Sequence, residues 1–131
     1  MAEKIVVDTN ILIDIFERGD ERLLLKLLEF DVFVPSVALY EYLWGYLYIG
    51  RDHLREKELI EKIFTVVYPD QRITLKAMEL DVQLRKQGFS IPQADVLIAA
   101  TALTLDAPLL SRDLGHYEKL RSFGLRILTE L

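Results

Sequence analysis

Four carboxylates occupy positions where an acid is an expensive choice. Asp8 ends the apolar run Ile5-Val6-Val7, and Glu41 lies among Tyr40, Tyr42, Leu43, Trp44 and Tyr46. Asp95 is the first charge ahead of an apolar helix, and Asp113 closes the run Pro108–Ser111. Each has an ordinary explanation taken alone. Asp8 and Asp113 suit helix caps, where Asp contributes about 0.5–2 kcal/mol over Ala. Asp95 could serve the helix dipole, worth about 0.3–1 kcal/mol. Glu41 could sit on a narrow solvent-facing stripe with Tyr48, since an isolated carboxylate is costly to bury.

Together they imply more, because two stand at strand tips and two near the starts or on the inner faces of buried helices. A parallel sheet can bring such positions to one edge. Like charges about 4 Å apart repel by roughly 4 kcal/mol at an effective dielectric near 20, so the cluster needs a proton or a cation. Oxygen-only donors suit Mg²⁺ or Mn²⁺, whereas the absence of Cys and the presence of only His53 and His116 disfavour zinc. Such an ion keeps several waters and binds phosphates, which points to phosphodiester hydrolysis by a metal-activated water.

The elements that must position these acids are legible in the pattern. Lys4 to Val7 reads as a strand, and Asp8-Thr9-Asn10 breaks it toward a helix ending at Gly19. A leucine-lined helix spans Glu21 to Phe30 and a strand Val32 to Pro35. The helix from Ser36 is apolar and aromatic on nearly all sides, so either the domain or a partner must bury it. Arg51 to Lys62 reads as a surface helix, Phe64 to Tyr68 as a strand and Gln71 to Lys86 as the longest helix. Ser90 and Gln93 resemble a capping box ahead of a central helix, Ala94 to Leu105, which would place Asp95 in its second turn. Pro108 to Ser111 is a strand, His116 to Arg121 a short helix and Leu125 to Thr129 a last strand. Strands alternating with helices imply a parallel sheet covered on both faces.

The totals narrow the function classes. At 131 residues the chain is expected to form one domain, 1–131, long enough for a core. A formal charge of −5 argues against a surface that grips nucleic acid everywhere, so an RNA substrate would need a local basic rim. Arg112, Arg85 and Lys86 are the candidates. No cysteine means no disulfide framework, no thiolate zinc site and no Cys nucleophile. The start lacks a secretory pattern and no apolar run reaches the roughly 20 residues that span a bilayer, so a soluble cytoplasmic protein with no membrane partner is expected. Asn10 is the only Asn in the chain, and amides, Cys and Met are scarce, which leans toward a heat-adapted host.

The constellation resembles a PIN domain, with IVVDTN at the start, an acid in an apolar helix after PSVALYE, PQADVLIAATAL ahead of a strand and LLSRD near the C-terminus. The match covers essentially the whole chain, and its size is similar to the VapC-type toxins of toxin–antitoxin pairs. The resemblance implies a three-layer α/β/α sandwich with a central parallel sheet, Mg²⁺- or Mn²⁺-dependent endoribonuclease activity, homodimerisation and inhibition by a VapB-like antitoxin. It assigns Asp8, Glu41, Asp95 and Asp113 as both catalytic and metal-binding residues, with Thr9 positioning Asp8 or water. Relatives often carry a further acid where this chain has His116, followed by Tyr117. His116 is read as a surface or helix-packing residue, Asp14 as part of a solvated helix face and Asp106 as a turn residue.

In this scheme Asp8 and Asp95 hold the metal, Asp113 binds it directly, through water or only by orienting another ligand, and Glu41 either completes the shell or orients the attacking water. In-line attack would leave 5′-phosphate and 3′-hydroxyl ends, as the resemblance implies. Two other classes compete. An aspartyl-phosphate enzyme also uses a strand-end Asp, but wants an acid two residues on, where this chain has Asn10. An RNA-processing PIN nuclease outside a toxin pair, or a catalytically silent module that binds partners through its aromatic helix, would keep the same acids.

Overall fold

Ile5, Val6 and Val7 are consecutive and all fully buried, which a strand achieves only when both faces of its sheet are covered. The structure is a computed structural model that describes residues 2–131. Its five strands are β1 (Lys4–Val7), β2 (Asp31–Pro35), β3 (Thr65–Val67), β4 (Leu109–Leu110) and β5 (Ile127–Leu128). They form one sheet in the order β3-β2-β1-β4-β5, and every pairing is parallel. Parallel neighbours need crossovers, and here the crossovers run to both sides of β1, so helices cover both faces in a three-layer α/β/α arrangement. Val6 stands opposite Phe33 of β2 and Leu109 of β4. The strand order therefore reverses beside β1, and the crevice outside the carboxyl ends of β1 and β4 is the natural place for a ligand.

The helices are α1 (Thr9–Leu12), α2 (Glu21–Leu27), α3 (Ser36–Tyr48), α4 (His53–Ile63), α5 (Gln71–Lys86), α6 (Gln93–Thr104) and α7 (Leu114–Tyr117). Aspartates cap five of them: Asp20, Asp52 and Asp70 accept the backbone N–H groups of Leu23, Arg55 and Ile73, and Asp8 and Asp113 cap α1 and α7. α6 lies against β1 and β2 and is covered by α5, whose Ile73, Ala77, Leu80 and Leu84 form the buried stripe. Six residues of α6, from Val96 to Ala102, are buried accordingly.

The structure departs from the sequence reading at several points, among them the helix read as His116 to Arg121, which is α7 followed by a 3-10 stretch, Glu118–Phe123. α1 continues as a π-helical turn, Ile13–Glu17, before stopping at Gly19, whose φ of 71° needs no side chain to be strained. The expected capping box does not form: α6 begins at Gln93 behind Pro92 with no side-chain cap, so Asp95 lies in the first turn rather than the second. Asp14 is buried rather than solvated, and Arg18 and Arg112 compensate it at 3.2 and 2.7 Å. Of the two alternatives for α3, burial by the domain accounts only for Ala38, Leu39 and Tyr42, while Tyr40, Trp44, Leu47 and Tyr48 stay exposed. Asp106 is a turn residue as expected, at a φ of 52°.

Candidate metal-binding site

The crevice at the sheet's reversal holds a cavity of about 190 Å³ lined by Asp8, Thr9, Asn10, Glu41, Asp95, Asp113 and Tyr117. Each acid arrives on a different element. Asp8 is the residue after β1, Glu41 the second turn of α3, Asp95 the first turn of α6, and Asp113 the residue before α7. Hydrophobic burial of β1 and α6 thus fixes two of the acids, because those elements have no freedom to shift within a packed core.

Asp8 is the most constrained. It is 3% exposed, caps α1 by accepting the Ile11 N–H at 3.1 Å, and accepts the Ser111 hydroxyl on its other oxygen. Ser111 also accepts the Asp113 N–H at 3.0 Å, so one hydroxyl ties the tip of β1 to the loop after β4. Burial pushes the Asp8 carboxyl up to about 6 despite those hydrogen bonds, and the nearby Asp95 and Asp113 charges push the same way. An acid so placed asks for a counter-charge. Capping and site roles coexist here, as they do at Asp113, which accepts the Gly115 N–H at 3.1 Å while facing the cavity.

Glu41 is exposed and accepts the Thr9 hydroxyl at 2.7 Å, joining α3 to the first turn of α1. Asp95 is held by two consecutive residues of α7. Its Oδ2 is 2.6 Å from His116 Nδ1, and its Oδ1 accepts the Tyr117 hydroxyl at 3.2 Å. Burial foremost, and then the Asp95 and Asp8 charges, raise the Tyr117 phenol far above its ordinary value, so it stays a neutral donor. Sequence reasoning set His116 aside as a surface or packing residue and passed over Tyr117. Their signal was the place of a further acid in the resemblance, but no spacing rule shows that a helix of four residues turns both toward Asp95.

Arg112 does not form a basic rim. It turns away from the cavity to Asp14, with Asp20 and Glu130 at 3.8 and 3.7 Å. Arg85 is bound to Asp81 on its own helix.

Among the described residues, no three Asp, Glu or His side chains form a ready cage around a single point. The donor chemistry nonetheless fits a hard dication: carboxylate, hydroxyl and amide oxygens line the cavity, and the buried Asp8 lacks a cationic partner among its hydrogen bonds. Mg²⁺ retains several waters and needs only one or two carboxylates, so a finished cage is not required.

Comparison with known proteins bears on the family and the fold. The PIN domain family model matches residues 5–120. Ribonuclease VapC1 of Methanocaldococcus jannaschii is 33% identical over 126 residues, covering 95% of this chain and 86% of that protein. A VapC ribonuclease of Pyrococcus furiosus is 30% identical over 122 residues, covering 92% and 82%. Among solved structures, VapBC2 from Rickettsia felis bound to a promoter DNA fragment superposes with a TM-score of 0.82 at 19% identity, over 95% of this chain and 97% of that one. VapBC-1 from nontypeable Haemophilus influenzae gives 0.82 at 23% identity, over 95% and 96%. At those identities the two structures speak for the fold.

Proposed function

The chain belongs to the PIN domain family, and from that premise we propose that it is a divalent-metal-dependent endoribonuclease and the toxin of a VapBC-type pair. The observation that carries the reading is the convergence of Asp8, Glu41, Asp95 and Asp113 on one cavity at the reversal of the strand order. Its relatives at 30% identity and above are named ribonucleases, and the solved structures of the same fold are toxin–antitoxin complexes.

Asp8 and Asp95 are assigned to hold Mg²⁺ or Mn²⁺, with Asp113 beside them. The bound ion lowers the pKa of its water and neutralises charge on the phosphate oxygens. Glu41, exposed at the mouth and steadied by Thr9, is assigned either to complete the shell or to orient the attacking water. Ser111 fixes Asp8 from behind, and the enclosed Asp8 end of the cavity limits bulk water there. The carboxylates supply no grip on the substrate, because their charge repels phosphate until the ion is in place.

A VapB-like antitoxin and a second copy of the chain are the proposed protein partners. The exposed faces of α3 (Tyr40, Trp44, Tyr48) and α5 (Leu75, Met78, Val82) give them apolar surface to cover. No helix among the described residues is long and apolar enough to cross a membrane. The test is cleavage of a structured RNA with Mg²⁺, with Mn²⁺ and with EDTA. The parent is expected to cut with either ion and not with chelator, and Asp8→Asn and Asp95→Asn to lose at least about a hundredfold in rate. Cutting that persists in EDTA, or in Asp8→Asn, contradicts the assignment.

A further inference from the structure

We propose that His116 and Tyr117 are positioning residues whose paired hydrogen bonds hold the Asp95 carboxylate ready for a divalent cation, and that this clamp sets the affinity of the site. The inference rests on the metal-site reading above and adds residues that take no place among its ligands.

Geometry makes the case. An ionised carboxylate only accepts hydrogen bonds, so toward it the ring nitrogen 2.6 Å from Asp95 Oδ2 presents Nδ1–H, which the Nδ1–H tautomer and the imidazolium both carry. Tyr117 donates to the other oxygen, so each oxygen carries one protein donor and keeps a lone pair for the ion. Tyr117 lines the cavity and His116 does not, which puts the imidazole behind the carboxylate rather than among the ligands. Ligating carboxylates are commonly steadied by such partners.

The clamp is also tied to a second acid. His116 and Tyr117 lie on α7, a helix of four residues capped by Asp113, whose carboxylate accepts the Gly115 N–H. Tyr117 is 2% exposed, which anchors α7 in the core. Moving α7 would therefore displace Asp113 and release Asp95 together.

The experiment is Mn²⁺ titration of the purified protein, followed by the electron paramagnetic resonance signal of free Mn²⁺, on the parent, His116→Ala, His116→Asn and Tyr117→Phe. His116→Ala is expected to weaken Mn²⁺ binding by roughly 10- to 100-fold with its thermal melt little changed, because the side chain is 45% exposed. His116→Asn places an amide N–H where Nδ1 stands and should restore most of that loss, which a merely structural role would not predict. Tyr117→Phe should weaken binding in the same direction. Unchanged affinity in His116→Ala overturns the clamp while leaving the metal site intact, as does an Asn variant no better than Ala. A parent that binds no Mn²⁺ sinks the metal site itself, and the clamp with it.

Discussion

At Asp8 burial and hydrogen bonding pull in opposite directions, and burial wins. Its folded pKa lies at about 6 against 3.8 for a free side chain, so ionising it costs the metal-free fold free energy. The sign follows from linkage: the favourable contribution is complete below pH 3.8 and is lost as pH rises through 6. A rise from 3.8 to about 6 corresponds to roughly 3 kcal/mol. Asp8→Asn never ionises, keeps its one oxygen for the Ile11 N–H, and turns its amide N–H₂ toward the Ser111 hydroxyl oxygen, which accepts in place of donating. Without metal its melting temperature is therefore expected to exceed the parent's at pH 7.5, with the gap shrinking as the pH falls toward 4. Excess Mg²⁺ at pH 7.5 should raise the parent and not the variant. A variant less stable than the parent at pH 7.5 without metal would contradict this account of Asp8.

At the scale of elements, α3 and α4 are joined by a buried polar contact within an aromatic cluster. Tyr42 donates to Glu56 at 2.6 Å, and Phe16 and Tyr46 pack around the Tyr42 ring. Burial and the hydrogen bond to Glu56 hold the phenol far above its ordinary value, so Tyr42 stays a neutral donor. Tyr42→Phe strands the Glu56 carboxylate and is expected to cost about 1–3 kcal/mol in chemical denaturation. A loss below half a kcal/mol would mean that water replaces the phenol freely. The outer face of α3 behaves differently. Trp44 stacks on Tyr48 with ring centres 5.1 Å apart, and both are more than half exposed. Light scattering of the isolated protein is expected to give twice the chain mass of 15.2 kDa, and a strict monomer at high concentration would contradict the proposed dimer.

The legibility of these elements tracks the physics behind them. β1, β2 and α5 were readable because β-branched runs and a regular apolar stripe record burial directly in residue order. The start of α6 is misleading in the sequence because Ser90 and Gln93 match a capping pattern that needs a particular backbone, and the helix begins at Gln93 behind Pro92 instead. Asp14 was misread because its partner Arg112 is 98 residues away. The four acids were legible, since a charge in an apolar element is visible in one dimension. His116 was not, because its meaning lies in a contact across 21 residues.

Across the whole molecule, charge limits how RNA can be held. The net charge is −5, and seven arginines, including Arg18, Arg72, Arg85 and Arg112, are engaged by carboxylates. Lys57 and Lys76 are paired as well, so seven of the 16 basic residues stand outside these ion pairs, against 21 acids that repel a phosphate backbone. Binding of a single-stranded RNA to Asp8→Asn should therefore depend weakly on salt, with a log–log slope smaller in magnitude than about 2, or fewer than three phosphates at roughly 0.7 each. A steep slope would reveal a basic surface outside the carboxylate cavity.

The central claim is that one dication compensates acids brought together by the fold. A crystal soaked in Mn²⁺ tests it most directly, because anomalous scattering locates the ion without reference to activity. The account predicts one or two peaks in the cavity within coordinating distance of Asp8 and Asp95. A peak only at some other surface, or none in that cavity at saturating Mn²⁺, would contradict it.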